Sequence, residues 1–150
     1  MNFQLLNPAE KTMQTINFSQ FASNNGSQFI HGSPDDSILF AVIDSRKIHA
    51  GKETLFIALQ GSRHAGWEFA QDAYAKGVRN FVLPIYCPSP LVKGLKNANI
   101  LLSTAPLKEL QQLAKINREA FAGAVIGITG SNGKTIVKEW LAQVLSAKYN

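Results

Sequence analysis

Short apolar runs separated by polar turns dominate the chain, and their spacing predicts alternating strands and helices. Runs of about four to eight apolar residues, rich in β-branched and aromatic types, are typical of buried strands. Segments rich in such residues, each predicted to be a strand, lie at 28–31, 37–43, 54–59, 78–83 and 99–102. Apolar residues recur every three or four positions near 18–22, across 67–76 and from about 104 to 118, which indicates helices. The alternation predicts an α/β fold that contains right-handed βαβ units.

Glycine, proline and small polar residues set the expected ends of these elements. Gly77 is expected to end the helix across 67–76, and Pro84 to end the strand after it. Thr104 is the expected cap of the next helix, which has Pro106 in its first turn. The segment 87–90 holds two prolines and is expected to be a loop.

A glycine-rich segment near residue 130 joins a short apolar run to an amphipathic helix. Ala124–Ile126 is predicted to be a buried strand, and apolar residues recur at helical spacing between Ile136 and Leu145, with Trp140 on the packed face. The segment between them has the composition of a phosphate-binding loop, made of Gly130, Ser131, Asn132, Gly133, Lys134 and Thr135. The common pattern has a glycine six residues before the lysine, where this chain has Ile128. The loop is therefore a variant, and the alternative is a glycine-rich turn with an incidental lysine.

The residue types of this loop suit the binding of a nucleoside triphosphate with Mg²⁺. Gly130 and Gly133 allow backbone N–H groups to approach an anion closely, and the start of a helix adds partial positive charge. Lys134 supplies a charge for the β- and γ-phosphates, and the Thr135 hydroxyl is placed to bind Mg²⁺.

Polar side chains also follow two of the predicted strands. Ser45 and Arg46 come after the strand at 37–43, and Ser62, Arg63 and His64 come after the strand at 54–59. Open α/β sheets bind ligands at the carboxyl ends of their strands, so the two loops are expected to meet at one edge. The arginines can hold a diphosphate by charge-assisted hydrogen bonds. The alternative is a pair of solvated loops, with His64 a surface histidine that has no identifiable carboxylate partner.

Composition narrows the class of protein. With 150 residues, 45% hydrophobic and 17% charged, the chain suits a globular protein, and no apolar run approaches the roughly 20 residues that cross a bilayer. The net charge of +5 is scattered, which argues against a nucleic-acid face. The single cysteine, Cys87, excludes an internal disulfide framework, so a reducing cytoplasm is the expected location. We expect no membrane insertion and a monomer.

Two ordered motifs resemble those of the Mur ligase family. The first runs through Asp44-Ser45-Arg46-Lys47, Gly51, the segment 55–61, Gly66 and Phe69. The second is Thr129–Thr135, which resembles the ATP-binding loop of the family. That resemblance also accounts for the missing first glycine of the common pattern. The resemblance covers about residues 38–145. The chain departs from the family pattern at Ala65 and Trp67, where the family often has Asp and His, and at Ile136, where a threonine is common.

The resemblance implies a three-domain ATP-dependent ligase of peptidoglycan precursor synthesis. Ser45 and Arg46, with Ser62, Arg63 and His64, would hold the UDP end of a UDP-N-acetylmuramoyl peptide, while the loop 130–135 would hold Mg-ATP. The substrate carboxylate would become an acyl phosphate that an incoming amine attacks. The segments 110–114 and 137–139 most resemble the branch of the family in which that amine is D-Ala-D-Ala. The branch that adds the third residue of the peptide is the runner-up.

The expected layout is a mixed α/β substrate-binding domain at 1–103, a linking helix and linker at 104–123, and the first strand, loop and helix of a nucleotide-binding domain at 124–150. The later metal and substrate ligands of the family would follow Asn150, so this piece alone is expected to be inactive. Two alternatives come from other classes. One is a non-catalytic nucleotide-sugar-binding module, and the other is a P-loop kinase or GTPase with an unrelated first domain.

Overall fold

The computed structural model of the chain describes residues 15–23, 28–33 and 37–147, together with the backbone of three short strands before residue 14. The strands are β1 Asn2–Gln4, β2 Leu6–Asn7, β3 Thr12–Met13, β4 Ile16–Asn17, β5 Gln28–Ile30, β6 Ser37–Ile38, β7 Phe40–Val42, β8 Thr54–Ile57, β9 Asn80–Pro84 and β10 Asn99–Ser103. The helices are α1 Phe18–Ser23, α2 Ala70–Ala75, α3 Ser89–Gly94, α4 Pro106–Glu119 and α5 Lys134–Ser146, and 3₁₀ turns lie at Ser45–Lys47 and Gly66–Phe69.

A six-stranded mixed sheet forms the centre of the fold, in the order β1-β7-β8-β9-β10-β5. The four inner strands are parallel, with Ala41 opposite Leu55 and Val82 opposite Leu101, whereas β1 and β5 pair antiparallel at the two edges. The prediction of a mixed α/β fold is confirmed. Parallel inner strands bring the loops that follow β7 and β8 to the same edge of the sheet.

Helices cover both faces of the sheet. Side chains alternate along β8, so Leu55 and Ile57 join the core under α1 and α4, whereas Phe56 and Ala58 join the core under α2 and α3. The inner strands are mainly apolar because both of their faces are buried, with polar residues such as Asn80 and Asn99 at their ends.

The predicted strand at 37–43 is wrong as a single element. It divides at Leu39: β6 pairs with β4 in a separate two-stranded sheet, while β7 joins the central sheet. The N–H groups of Leu39 and Phe40 both donate to the Glu53 carbonyl oxygen, at 2.9 and 3.2 Å. The shared acceptor shifts the hydrogen-bond pattern at this point and separates the two pairings.

Two boundary predictions near the end of the sheet are also wrong. The segment 87–90 is not wholly a loop, because α3 begins at Ser89 with a proline in its first turn. Thr104 does not cap α4. Instead, the buried Ser103 hydroxyl accepts from the Ala105 N–H at 3.0 Å and donates to Glu109 at 2.8 Å, which ties the start of the helix to the sheet.

The segment 124–126 is not a strand. Val125 and Ile126 are 59% and 60% exposed, and among the described residues no strand pairs with them, so the inter-strand hydrogen bonds that define a strand are missing. The helix after the phosphate-binding loop is present as α5, but Trp140 is 65% exposed on it rather than packed. Trp67, by contrast, packs against the core under α2 as expected. Within the part of the chain that is described, no helix is both long and apolar enough to cross a membrane.

Candidate functional site

A tight turn after β7 presents an arginine held by its own neighbour. Asp44 caps the 3₁₀ turn Ser45–Lys47 by accepting the Arg46 backbone N–H at 3.0 Å. The Arg46 side chain then donates to both carboxylate oxygens of Asp44, from Nε at 3.0 Å and from Nη2 at 2.9 Å. Hydrogen bonds from the side chain and backbone of Arg46 hold the pKa of Asp44 well below its usual range. Arg46 is thus oriented while its side chain remains 85% exposed.

Ser45 points the other way, into the protein. It is only 4% exposed, and its carbonyl oxygen accepts from Lys76 Nζ at 2.9 Å. Its hydroxyl hydrogen-bonds to Asp72, and this bond, followed by the one from Lys76, lowers the pKa of the Asp72 carboxyl. Lys76 also donates to Asp72 Oδ2 at 2.9 Å, so the three side chains form one connected group behind the turn.

The loop after β8 is a short hairpin that carries His64. Gln60 and Ala65 form an isolated antiparallel bridge, and the Gly61 N–H donates to the His64 carbonyl oxygen at 3.0 Å. His64 Nδ1 lies 3.4 Å from a carboxylate oxygen of Glu68, and its ring meets Phe69 edge-on with centroids 5.8 Å apart. Glu68 is thus the carboxylate partner that the sequence did not identify, and the 3₁₀ turn Gly66–Phe69 brings it back to the loop.

The two loops border one cleft of about 540 Å³. Its lining consists of Ile43, Asp44, Ser45, Arg46, His64 and Phe69. Ser45, Arg46 and His64 are therefore brought together, as the positions of the loops predicted. Ser62 and Arg63 lie on the same hairpin and are exposed, but they do not line the cleft. Their role in binding stays a prediction.

The predicted phosphate-binding loop has the backbone that its glycines allow. Gly130 and Gly133 have φ angles of 148° and 75°, in the region that side chains disfavour, and Gly133 directly precedes α5. Lys134 Nζ donates back to the Gly130 carbonyl oxygen. A shallow cleft of about 290 Å³ beside it is lined by Ile126, Ile128, Lys134, Thr135 and Lys138.

The loop residues fit a magnesium nucleotide in composition and backbone. A Cβ at Gly133 would meet nothing within 4 Å, so its positive φ rather than crowding requires glycine there. Ser131, Asn132 and Thr135 are exposed and reachable by a ligand. Among the described residues, no group of three or more His, Cys, Asp or Glu could hold a metal ion. The role of the Thr135 hydroxyl as a Mg²⁺ ligand stays a prediction.

Several residues that contact the lining of the first cleft were not predicted from the sequence. In the sequence, these residues look like ordinary charged residues on the surface of a helix. They are Asp72, Lys76 and Glu68. The spacing of Asp72 and Lys76 at i and i+4 is a signal for an ion pair on α2, but it does not indicate that Ser45 lies beneath them.

Comparison with known proteins places the chain in a family. No family model matches it. It is 37% identical over 106 residues to the UDP-N-acetylmuramoyl-tripeptide–D-alanyl-D-alanine ligase of Bacillus subtilis, covering 71% of this chain and 22% of that protein. Identity to the ligase of the same name from Mycobacterium tuberculosis is 32% over 154 residues, or 89% of this chain and 30% of that protein. Identity to the UDP-N-acetylmuramoyl-L-alanyl-D-glutamate–2,6-diaminopimelate ligase of Lawsonia intracellularis is 34% over 110 residues, or 72% of this chain and 22% of that protein.

The chain thus spans less than a third of the length of these relatives, with shares of 22% to 30%. The similarity nevertheless extends over most of its own residues, at 32–37% identity in ligases of two related names. The chain belongs to the Mur ligase family and corresponds to its N-terminal part.

Proposed function

We propose that this chain comprises the substrate-binding domain and the start of the ATP-binding domain of a ligase. The ligase adds D-Ala-D-Ala to UDP-N-acetylmuramoyl-tripeptide. The observation that carries the proposal is the cleft where the Asp44–Lys47 turn and the His64 hairpin meet, at the carboxyl edge of β7 and β8. This is the edge at which open α/β sheets bind ligands. The inference that the ligand is a sugar nucleotide rests on the names of the relatives.

The charges around Arg46 suit a diphosphate. A guanidinium has five N–H donors, and two of them are used on Asp44, so three remain for a ligand. Because Asp44 fixes the plane of the group, little side-chain entropy is lost when a phosphate binds. Removal of Arg46 would also leave the Asp44 carboxylate facing the diphosphate, which adds repulsion to the lost contacts. Arg46 should therefore matter more than an average exposed arginine.

The phosphate-binding loop would hold Mg-ATP. Backbone N–H groups of Gly130–Lys134 would face the phosphates, Lys134 would exchange its bond to the Gly130 carbonyl for the β- and γ-phosphates, and Thr135 would bind Mg²⁺. Bound Mg-ATP would supply the γ-phosphoryl group that turns the substrate carboxylate into an acyl phosphate, the form that the amine of D-Ala-D-Ala attacks. Lys134 would offset the negative charge that develops during this transfer.

A binding experiment on the 150-residue chain tests directly whether the cleft binds the sugar nucleotide. Isothermal titration with UDP-N-acetylmuramoyl-tripeptide should give heat, and Arg46→Ala should weaken binding by about tenfold or more because charge-assisted contacts are lost. Arg118→Ala is the matched control, since Arg118 is an exposed arginine on α4 that stacks on Phe121 and does not line the cleft. The absence of heat with the wild-type chain, or equal losses in the two variants, would contradict the proposal.

The relative from Lawsonia intracellularis favours a second candidate, a ligase that adds the third residue of the peptide. Its identity of 34% lies close to the 37% of the Bacillus subtilis ligase. Both candidates would bind the same UDP end of their muramoyl-peptide substrates, so a binding measurement on this chain does not distinguish them. Phosphate release by the complete enzyme separates them, with the tripeptide substrate plus D-Ala-D-Ala in one assay and the dipeptide substrate plus diaminopimelate in the other. A non-catalytic module would release phosphate in neither assay.

A further inference from the structure

The end of α2 supports the Asp44–Lys47 turn from behind. Lys76, which directly follows α2, donates from Nζ to the Ser45 carbonyl oxygen and to Asp72 Oδ2, both at 2.9 Å. The Ser45 main chain is therefore held by Lys76, whose ammonium group is in turn bound by Asp72. Neither Lys76 nor Asp72 lines the cleft.

The backbone between β7 and β8 presses on the same helix end. A Cβ on Gly51 would lie 2.4 Å from the Lys76 carbonyl oxygen and 2.8 Å from the Gly77 carbonyl carbon, so a side chain has no room there. The Thr54 hydroxyl donates to the Ala50 carbonyl oxygen and fastens the far side of this segment. The backbone that follows the turn thus packs closely against the end of α2 at Gly51.

We propose that Asp72 and Lys76 are positioning residues for the sugar-nucleotide cleft, an inference that rests on the proposed function. They hold Ser45 inward, and because Ser45 and Arg46 are adjacent in one short 3₁₀ turn, this fixes the direction in which Arg46 leaves the backbone. The Asp44–Arg46 pair then faces the cleft before any ligand arrives. A turn that is ordered in advance loses less conformational freedom on binding, so affinity rises although neither residue touches the ligand.

The test compares Lys76→Met, Lys76→Arg and Asp72→Ala in the 150-residue chain. Titration with UDP-N-acetylmuramoyl-tripeptide should show affinity about three- to tenfold weaker for Lys76→Met and Asp72→Ala, whereas Lys76→Arg should restore it to within about twofold. Hydrogen exchange of the Lys47 N–H, which donates to the Asp44 carbonyl oxygen at 3.0 Å, should speed up in the same two variants. A purely structural role would instead lower the melting temperature without this selective loosening of the turn.

Lys115→Met is the matched control. Lys115 forms the same kind of i,i+4 pair, with Glu119 on α4 at 3.7 Å, but lies outside the cleft, so its removal should alter neither affinity nor exchange at Lys47. Wild-type affinity in Lys76→Met and Asp72→Ala, beside a clear loss in Arg46→Ala, would overturn the positioning role and leave the proposed function intact. Unchanged exchange at Lys47 in both variants would overturn it as well. A wild-type chain that gives no heat would overturn both proposals.

Discussion

Gly66 stands where the His64 hairpin returns to the sheet, and its backbone passes close to the end of β8. Its N–H donates to the Leu59 carbonyl oxygen at 2.9 Å. A Cβ built on Gly66 would lie 2.4 Å from that oxygen, 2.7 Å from the Leu59 nitrogen and 2.8 Å from the Ala58 carbonyl carbon. All three are backbone atoms of a buried or half-buried segment, so no flexible side chain can move aside.

The cost of Gly66→Ala follows from these distances. The closest approach is about 1 Å short of ordinary van der Waals contact, so the hairpin must shift, and overpacking of this kind costs about 1–3 kcal/mol. Loss of the hydrogen bond to Leu59 adds about 1 kcal/mol. The lower entropy of the unfolded chain with alanine returns about 0.4–1 kcal/mol. We expect a net loss of about 2–3 kcal/mol in the free energy of unfolding.

Urea denaturation followed by tryptophan fluorescence measures this loss. The chain has two tryptophans, and Trp140→Phe leaves Trp67, the neighbour of Gly66, as the reporter. Gly94→Ala is the control, because a Cβ there would meet only the Gln71 side chain, at 3.9 Å, and alanine suits the end of α3. If Gly66→Ala unfolds at the same urea concentration as Gly94→Ala, the close approach of the hairpin to β8 is refuted.

Three further outcomes follow from buried and charged groups. Asn99→Leu removes the acceptor of two backbone N–H groups at 32–33, bound at 3.2 and 3.0 Å, and should cost about 2–5 kcal/mol in urea denaturation; a loss below about 1 kcal/mol would contradict this account. Since Arg46 lowers the pKa of Asp44, the stability from this carboxylate is present above its unfolded pKa of about 3.9 and is lost as pH falls towards the folded value. Arg46→Gln should raise the Asp44 midpoint in a carboxyl NMR titration, and an unmoved midpoint would exclude the ion pair. Burial raises the pKa of the Cys87 thiol, so it should react with a disulfide reagent more slowly in the folded chain than in urea, and equal rates would show that it is not buried.

The sequence predicted the inner strands well because burial on both faces leaves a simple trace. The segments 54–59, 78–83 and 99–102 are rich in apolar residues, and each overlaps an observed strand. The break at Leu39 left no such trace, since it depends on the Glu53 carbonyl, which accepts two N–H groups from across the turn. The start of α3 was missed because proline signals a loop, although proline is also favoured in the first turn of a helix.

In the candidate site too, contacts between near neighbours in sequence were predictable, whereas contacts between distant residues were not. The Asp44–Arg46 turn was predictable because a capping aspartate and its arginine are two residues apart. The group of Ser45, Asp72 and Lys76 was not, because α2 meets the turn only after the intervening strand has joined the sheet. The carboxylate partner of His64 was missed for a related reason, since the 3₁₀ turn that returns Glu68 looked in the sequence like the first turn of a regular helix.

The cleft and the predicted phosphate-binding loop therefore differ in what sets their shape. The shape of the loop is set within a few residues, by positive φ angles at Gly130 and Gly133 and by the start of α5, which is why a short motif is enough to predict it. The cleft gets its shape from contacts between residues about 30 positions apart, such as Lys76 and Ser45. Substitutions far from the cleft in sequence should therefore alter its affinity for a ligand. Substitutions that alter the conformation of the loop should be confined to the loop itself and to the first turn of α5.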